Sequence, residues 1–186
     1  MKRRNLLLVC SAGVLAACST TGDGPSDPAA KKREIDAGVD SALADLYANS
    51  PGSRELAAKA QGILVFPKIV SAGFIIGGSY GQGALRKGGA TVGYYSVGAG
   101  SVGLLAGAQS KAMYLLFMTQ EALAKFEASN GWTAGADSSV VVLDEGAAAS
   151  VNTRTVTAPV IGYVRSTSGF MANLSLDGTK FNKITL

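Results

Sequence analysis

Half of the chain's 24 glycines lie between Gly73 and Gly107. The densest run, "GFIIGGSYGQG" from Gly73 to Gly83, puts five into eleven positions. Glycine costs a helix interior about 1 kcal/mol relative to alanine, so this region is not helical. Two arrangements use such density. One is a loop that cradles phosphate; the other is a sheet whose backbones or bulky neighbours approach closely and bulge.

The phosphate reading has one literal match. Gly98-Ala99-Gly100-Ser101-Val102-Gly103 fits G-x-G-x-x-G after the strand-like "TVGYYSV", and Glu121 follows at about the spacing of a ribose-binding acid. The residues after Gly103, "LLAGAQS", do not open an amphipathic helix. The chain before the motif is already β-rich, and no second β-α-β half follows. No Gly-Lys-Ser/Thr occurs either. The glycines therefore predict a tightly curved sheet.

Around that sheet the pattern changes. Ile35, Val39, Ala42, Leu43, Leu46 and Tyr47 recur at spacings of three and four, predicting an amphipathic helix over Lys31–Ala48 that Pro51-Gly52 ends. Ser53 reads as the N-cap of a second short helix closed by Gly62. "ILVFPKIV" reads as a strand with Pro67 marking a bend or edge, and Arg86-Lys87-Gly88-Gly89 as a hairpin tip. "SKAMYLLFM", "SSVVVLDEG" and "APVIGYVRS" read as strands, and Thr119 caps a further short helix. Asp177-Gly178 between "GFMANLSL" and "TKFNKITL" predicts a last hairpin. Trp132 and Tyr94-Tyr95 read as core or sheet-face residues, with one of the two tyrosines pointing inward. Asp144-Glu145, with Asp137 near, read as a turn, because adjacent strand residues point to opposite faces. The expected fold class is α+β: a strongly curved, Gly-rich antiparallel sheet, barrel- or sandwich-like, with N-terminal amphipathic helices.

The N-terminus carries a different signal. Lys2, Arg3 and Arg4 precede an apolar run from Leu6 to Leu15, then Ala16, Ala17 and Cys18. This describes an export signal over residues 1–17, too short in its apolar body to span about 30 Å of hydrocarbon. Leu15-Ala16-Ala17-Cys18 resembles the bacterial lipobox. That resemblance implies cleavage before Cys18, lipidation of Cys18 with a diacylglycerol and an N-acyl chain, and, with Ser19 rather than Asp next, sorting to the outer membrane. Residues 18–30 then form the lipidated Cys and a flexible tether, and residues 31–186 a single domain.

Cleavage changes the charge. It removes three of 17 basic residues against an unchanged 13 acidic ones, leaving +1, so no nucleic-acid footprint remains. The chain has no His, and its cysteines are Cys10 and Cys18. This argues against transition-metal sites and excludes Ser-His and Cys-His nucleophiles; no cofactor is expected.

"AKAQGILVFPKIVSAGFIIGGSYGQGALRKGGATVGYYSV" resembles the start of the SYLF domain. "GAQSKAMYLLFMTQEAL", "GWTAGADSSVVVLDEG" and "GFMANLSLDGTKFNKI" follow in the family's order, so the likeness covers roughly Leu43 to Leu186. It implies a non-catalytic, phospholipid-binding module, favouring phosphoinositides in eukaryotic members and linked to actin in yeast. Binding there uses basic residues and an N-terminal amphipathic helix. Carried onto this chain, the matching cation is Lys68, with Arg86 and Lys87 in a corresponding loop and the helix over Lys31–Ala48. Beside that likeness, Lys31, Lys32 and Arg33 just after the tether are either headgroup contacts or a solvated helix start, since basic charge there opposes the helix dipole. An exported chain without an SH3 or zinc-finger partner domain departs from the eukaryotic context. That puts actin in doubt and points to another anionic lipid. The expectation is a lipid-anchored envelope protein whose domain binds anionic phospholipid. The alternative is a structural envelope lipoprotein that contacts protein or cell wall.

Overall fold

The computed structural model describes residues 27–73, 76–102, 107–143, 158–166, 169–170, 176 and 178–186. The export signal, Cys18, the tether up to residue 26, Gly103, Asp144-Glu145, Asp177 and most of "GFMANLSL" lie outside the described residues.

Helix α1 spans Pro28–Asn49. Asp27 caps it by accepting from the Ala29 amide at 3.0 Å, and proline stands at its first position. It stops at Ser50, which is held extended because Pro51 follows. Helix α2 spans Ser53–Lys59, and here the expected cap is corrected. Gly52 is the N-cap, at a φ of 79° that glycine adopts without a Cβ penalty. Ser53 is instead buried, its hydroxyl donating to Ser50 O at 2.7 Å. The helix ends at Lys59, so Gly62 opens a strand rather than closing a helix.

The strands are β1 (Gly62–Gly73), β2 (Ile76–Lys87), β3 (Ala90–Val102), β4 (Gly107–Phe117), β5 (Trp132–Thr133), β6 (Val140–Leu143), β7 (Val160–Ser166), β8 (Gly169–Phe170) and β9 (Lys180–Ile184). Helix α3, Gln120–Ala128, follows β4 and is capped by Thr119, which accepts from the Ala122 amide at 3.2 Å. One sheet runs β5-β9-β3-β2-β1-β4-β7-β6, with β8 on β7. It is antiparallel except for β6, which lies parallel to β7. Five strand steps separate β9 from β7, about 24 Å if flat. Yet Phe181 of β9 and Val164 of β7 belong to one buried cluster with Phe66, Met113 and Leu123. The sheet is therefore strongly curved.

The glycines act at one place above all. Strand β1 is central, paired on both edges, and Pro67 has no amide to give either neighbour. The register shifts between Val65 and Lys68 against β2, and between Phe66 and Ile69 against β4. Opposite this bulge stand Gly81 and Gly83. A Cβ at Gly83 would collide with the Val65 carbonyl and reach the Phe66 ring at 2.8 Å. One at Gly81 would meet Lys68 O at 2.8 Å. Gly98 and Gly100 have open space instead and lie within β3, so the G-x-G-x-x-G stretch is ladder as far as Val102. At the β2–β3 turn, Gly88 and Gly89 both take positive φ, 56° and 85°, as a tight hairpin turn requires.

Both faces of the sheet are covered near its middle. On one, α3 adds Leu123 and Phe126 to an aromatic cluster of Phe66, Tyr95, Phe117, Trp132 and Phe181. On the other, Ile35, Val39, Ala42 and Leu46 of α1 pack on Val65, Tyr114, Leu116 and Tyr163. Tyr95 thus points to one core, while Tyr94 lies half-buried under α1 on the other face. The expected last hairpin is not what the described residues form. Gly178 does sit in a turn at φ 78°. But β9 pairs with β3 and β5, while β8 pairs with β7. The stacking of Phe181 on Trp132 at 5.5 Å places β9, and that long-range burial outweighs a local turn preference.

Two buried tyrosines add a pH dependence. Burial pushes the phenols of Tyr114 and Tyr163 up to about 12. The folded state then holds protons that the unfolded chain gives up near pH 10. This stabilisation is complete below pH 10 and is lost as pH rises toward 12. Tyr114 donates to Ala42 O at 2.9 Å, but the Tyr163 hydroxyl is buried without a partner among the described residues. Tyr163→Phe should therefore raise stability by about 1 kcal/mol. It should also flatten the alkaline fall, measured by urea unfolding from pH 8 to 11.

Candidate functional site

The six basic residues singled out above do not converge. Arg86, whose side chain is 13% exposed, fastens α1 to the sheet. Its guanidinium donates to Asp40 Oδ1 at 2.7 Å, Asp36 O at 3.3 Å and Gly89 O at 3.0 Å. Asp36 is the hub of this latch. Its carboxylate accepts from Thr91 Oγ1 at 2.7 Å and from Tyr94 OH at 2.9 Å. Desolvation, then the bond to Asp36, raises the Tyr94 phenol. A second latch, Arg165 Nη1 to Asp45 Oδ2 at 2.7 Å, holds the other half of α1.

Lys87 is also engaged. Its ammonium lies 3.0 and 2.9 Å from the two Glu127 oxygens, tying the β2 end to α3. Lys31 pairs with Glu34 at 3.0 Å, Arg33 lies 3.8 Å from Asp27, and Lys32 sits over the Tyr94 ring at 5.9 Å. The apolar face of α1 is buried, so the amphipathic helix is core rather than a free membrane-binding face.

Lys68 differs. It is exposed at the bulge with no carboxylate partner among the described residues. Lys111, half-buried on β4, also has none, and desolvation lowers its ammonium below the usual lysine range. Residue-by-residue reading passed over Lys111. A signal in the sequence does mark it: from Leu56 to Gln120 there are five basic residues and no acidic one. Arg86 and Lys87 take acids from α1 and α3, which leaves Lys68 and Lys111 without an ion pair on β1 and β4 among the described residues.

A cleft of about 450 Å³ between α1, α2 and the β2–β3 turn has Arg54 and Arg86 on its walls. Arg86 is already shared between two carboxylates, and Arg54 lies 4.7 Å from the Tyr47 ring centroid. The cleft therefore offers an anion little free charge. Asp137 accepts from the Thr133 amide at 2.5 Å, a turn contact, and Glu121 pairs with Lys125 at 2.9 Å. Among the described residues no group of three His, Cys, Asp or Glu is placed to hold a metal ion. No described helix is long and apolar enough to cross a membrane.

In class, this is an α+β module built on a curved, largely antiparallel sheet with unpaired cations at one end. Residues 98–184 match the family model described as Ysc84, Las17-binding protein actin regulator. The chain thus carries a domain of the SYLF family, recognised over that span. The match runs from the middle of β3 to the end of β9. Among curated proteins, none matches the chain.

Proposed function

We propose that this domain binds anionic phospholipid without catalysis, in a protein held to the bacterial envelope, in its outer membrane, by acyl chains on Cys18. Membership of a family whose members bind lipid supports the coarse reading. The observation that carries the finer one is the charge distribution: an acid-free sheet in which Lys68 and Lys111 have no carboxylate partner. Acyl chains contribute about 0.8 kcal/mol per buried CH₂, so the anchor alone keeps the domain at the membrane. Each sheet lysine near an anionic surface then adds about 1 kcal/mol.

The test is flotation of residues 19–186 with vesicles containing phosphatidylglycerol. All contacts of the described fold lie within this span. Lys68→Ala and Lys111→Ala should each weaken binding about fivefold, and the pair more than either. Unchanged binding in the double variant would remove the sheet lysines from the site.

A further inference from the structure

Of the three large apolar side chains exposed among the described residues, two stand side by side. Tyr80 is 58% and Val70 44% exposed, and they are register partners across β1 and β2. The row continues to Gly98 of β3 and Lys180 of β9 on one side and to Ser110 of β4 on the other. A Cβ at Gly98 would meet nothing within 4 Å, so the Tyr80 ring stands clear of its neighbour. Gln82, the register partner of Lys68, lies two residues from Tyr80 along β2, about 7 Å. Lys111 pairs with Ile69 at nearly the same level. Because Ile69 faces the α3-side core, Lys111 projects to the face opposite Val70. Cations therefore ring this end of the sheet on both faces.

Charge is otherwise missing there. No charged residue occurs from Ile69 to Leu85 or from Gly88 to Ser110. An exposed aromatic ring and an aliphatic neighbour beside Lys68 and Lys180, with Lys111 on the other face and no carboxylate among these residues, complement one surface. That surface is an anionic bilayer, whose headgroups meet the lysines while the glycerol layer takes the apolar groups. We propose that this uncharged end of the sheet is the docking surface for an anionic bilayer: Val70 and Tyr80 enter its interfacial layer, and Lys68, Lys111 and Lys180 contact headgroups. The inference rests on the lipid-binding reading above and gives it a place and an orientation. The helix start at Lys31–Arg33 and the Arg86 latch stay outside the contact.

The full chain carrying Tyr80→Trp tests this, because native Trp132 is buried and gives a constant background. Val92→Trp, at an exposed site near the opposite end of β3, is the control. With phosphatidylcholine–phosphatidylglycerol vesicles containing bromine-labelled acyl chains, Tyr80→Trp should shift to the blue and be quenched, and Val92→Trp should not. Adding Lys68→Glu should reduce the quenching severalfold. Equal behaviour at the two positions overturns the docking surface. So does a Tyr80→Trp emission that shifts with protein concentration alone, which would mean that a second copy covers the patch. Flotation of residues 19–186 separates the two levels of the argument. If it persists while Tyr80→Trp stays in water, the surface is wrong and lipid binding stands; if it fails, both fall.

Discussion

Gly83→Val abolishes cooperative folding or lowers stability by about 3 kcal/mol or more, while Gly98→Ala raises it by about 0.5 kcal/mol. Both glycines lie in strand interiors of the same curved sheet. The difference is what their missing Cβ would meet. At Gly83 it is the Val65 carbonyl, backbone of a strand fixed on both edges, which has no room to yield. At Gly98 it is open space. There an added methyl acts mainly by restricting the unfolded chain. Urea unfolding followed by Trp132 emission measures both. A Gly83→Val protein as stable as the parent would mean that the Pro67 bulge does not need its glycine neighbour.

Arg86→Met lowers stability by about 2 kcal/mol. The substitution leaves Asp36 with Thr91 and Tyr94 but strips its cation, and α1 loses the contact that orients its first half. The figure sits below that of a fully buried pair because Asp36 is one-third and Asp40 two-thirds exposed. Asp40→Asn should accordingly cost no more than about 0.5 kcal/mol. The folded Arg86→Met domain should float with anionic vesicles as the parent does. If it folds at parental stability and loses binding, Arg86 belongs to the headgroup contact rather than to the latch.

What the sequence discloses and what it hides follow the range of the interaction. The apolar face of α1, the Thr119 cap, the bend at Pro67 and the Gly88-Gly89 turn are decided by residues a few positions apart, and they are legible. Pairings decided across the chain are not. Asp177-Gly178 reads as a local hairpin, yet β9 is placed by Trp132 and β3. β6 joins β7 in parallel although the composition suggests only antiparallel partners. The same holds for the basic residues. Arg86 is a surface cation until Asp36 and Asp40, some fifty positions away, are brought against it. Lys68 and Lys111 gain their standing only once the acids of α1 and α3 have gone to other partners.

The most direct test of the central claim, that the folded domain itself reads anionic lipid, is flotation of residues 19–186, which lack the proposed anchor. It is run on neutral phosphatidylcholine vesicles and on vesicles with phosphatidylglycerol, each at low and moderate salt. Flotation confined to the anionic vesicles and weakened as salt shortens the screening length is the result predicted. No flotation under any of the four conditions would contradict it. Any membrane association would then have to come from the acyl chains proposed on Cys18.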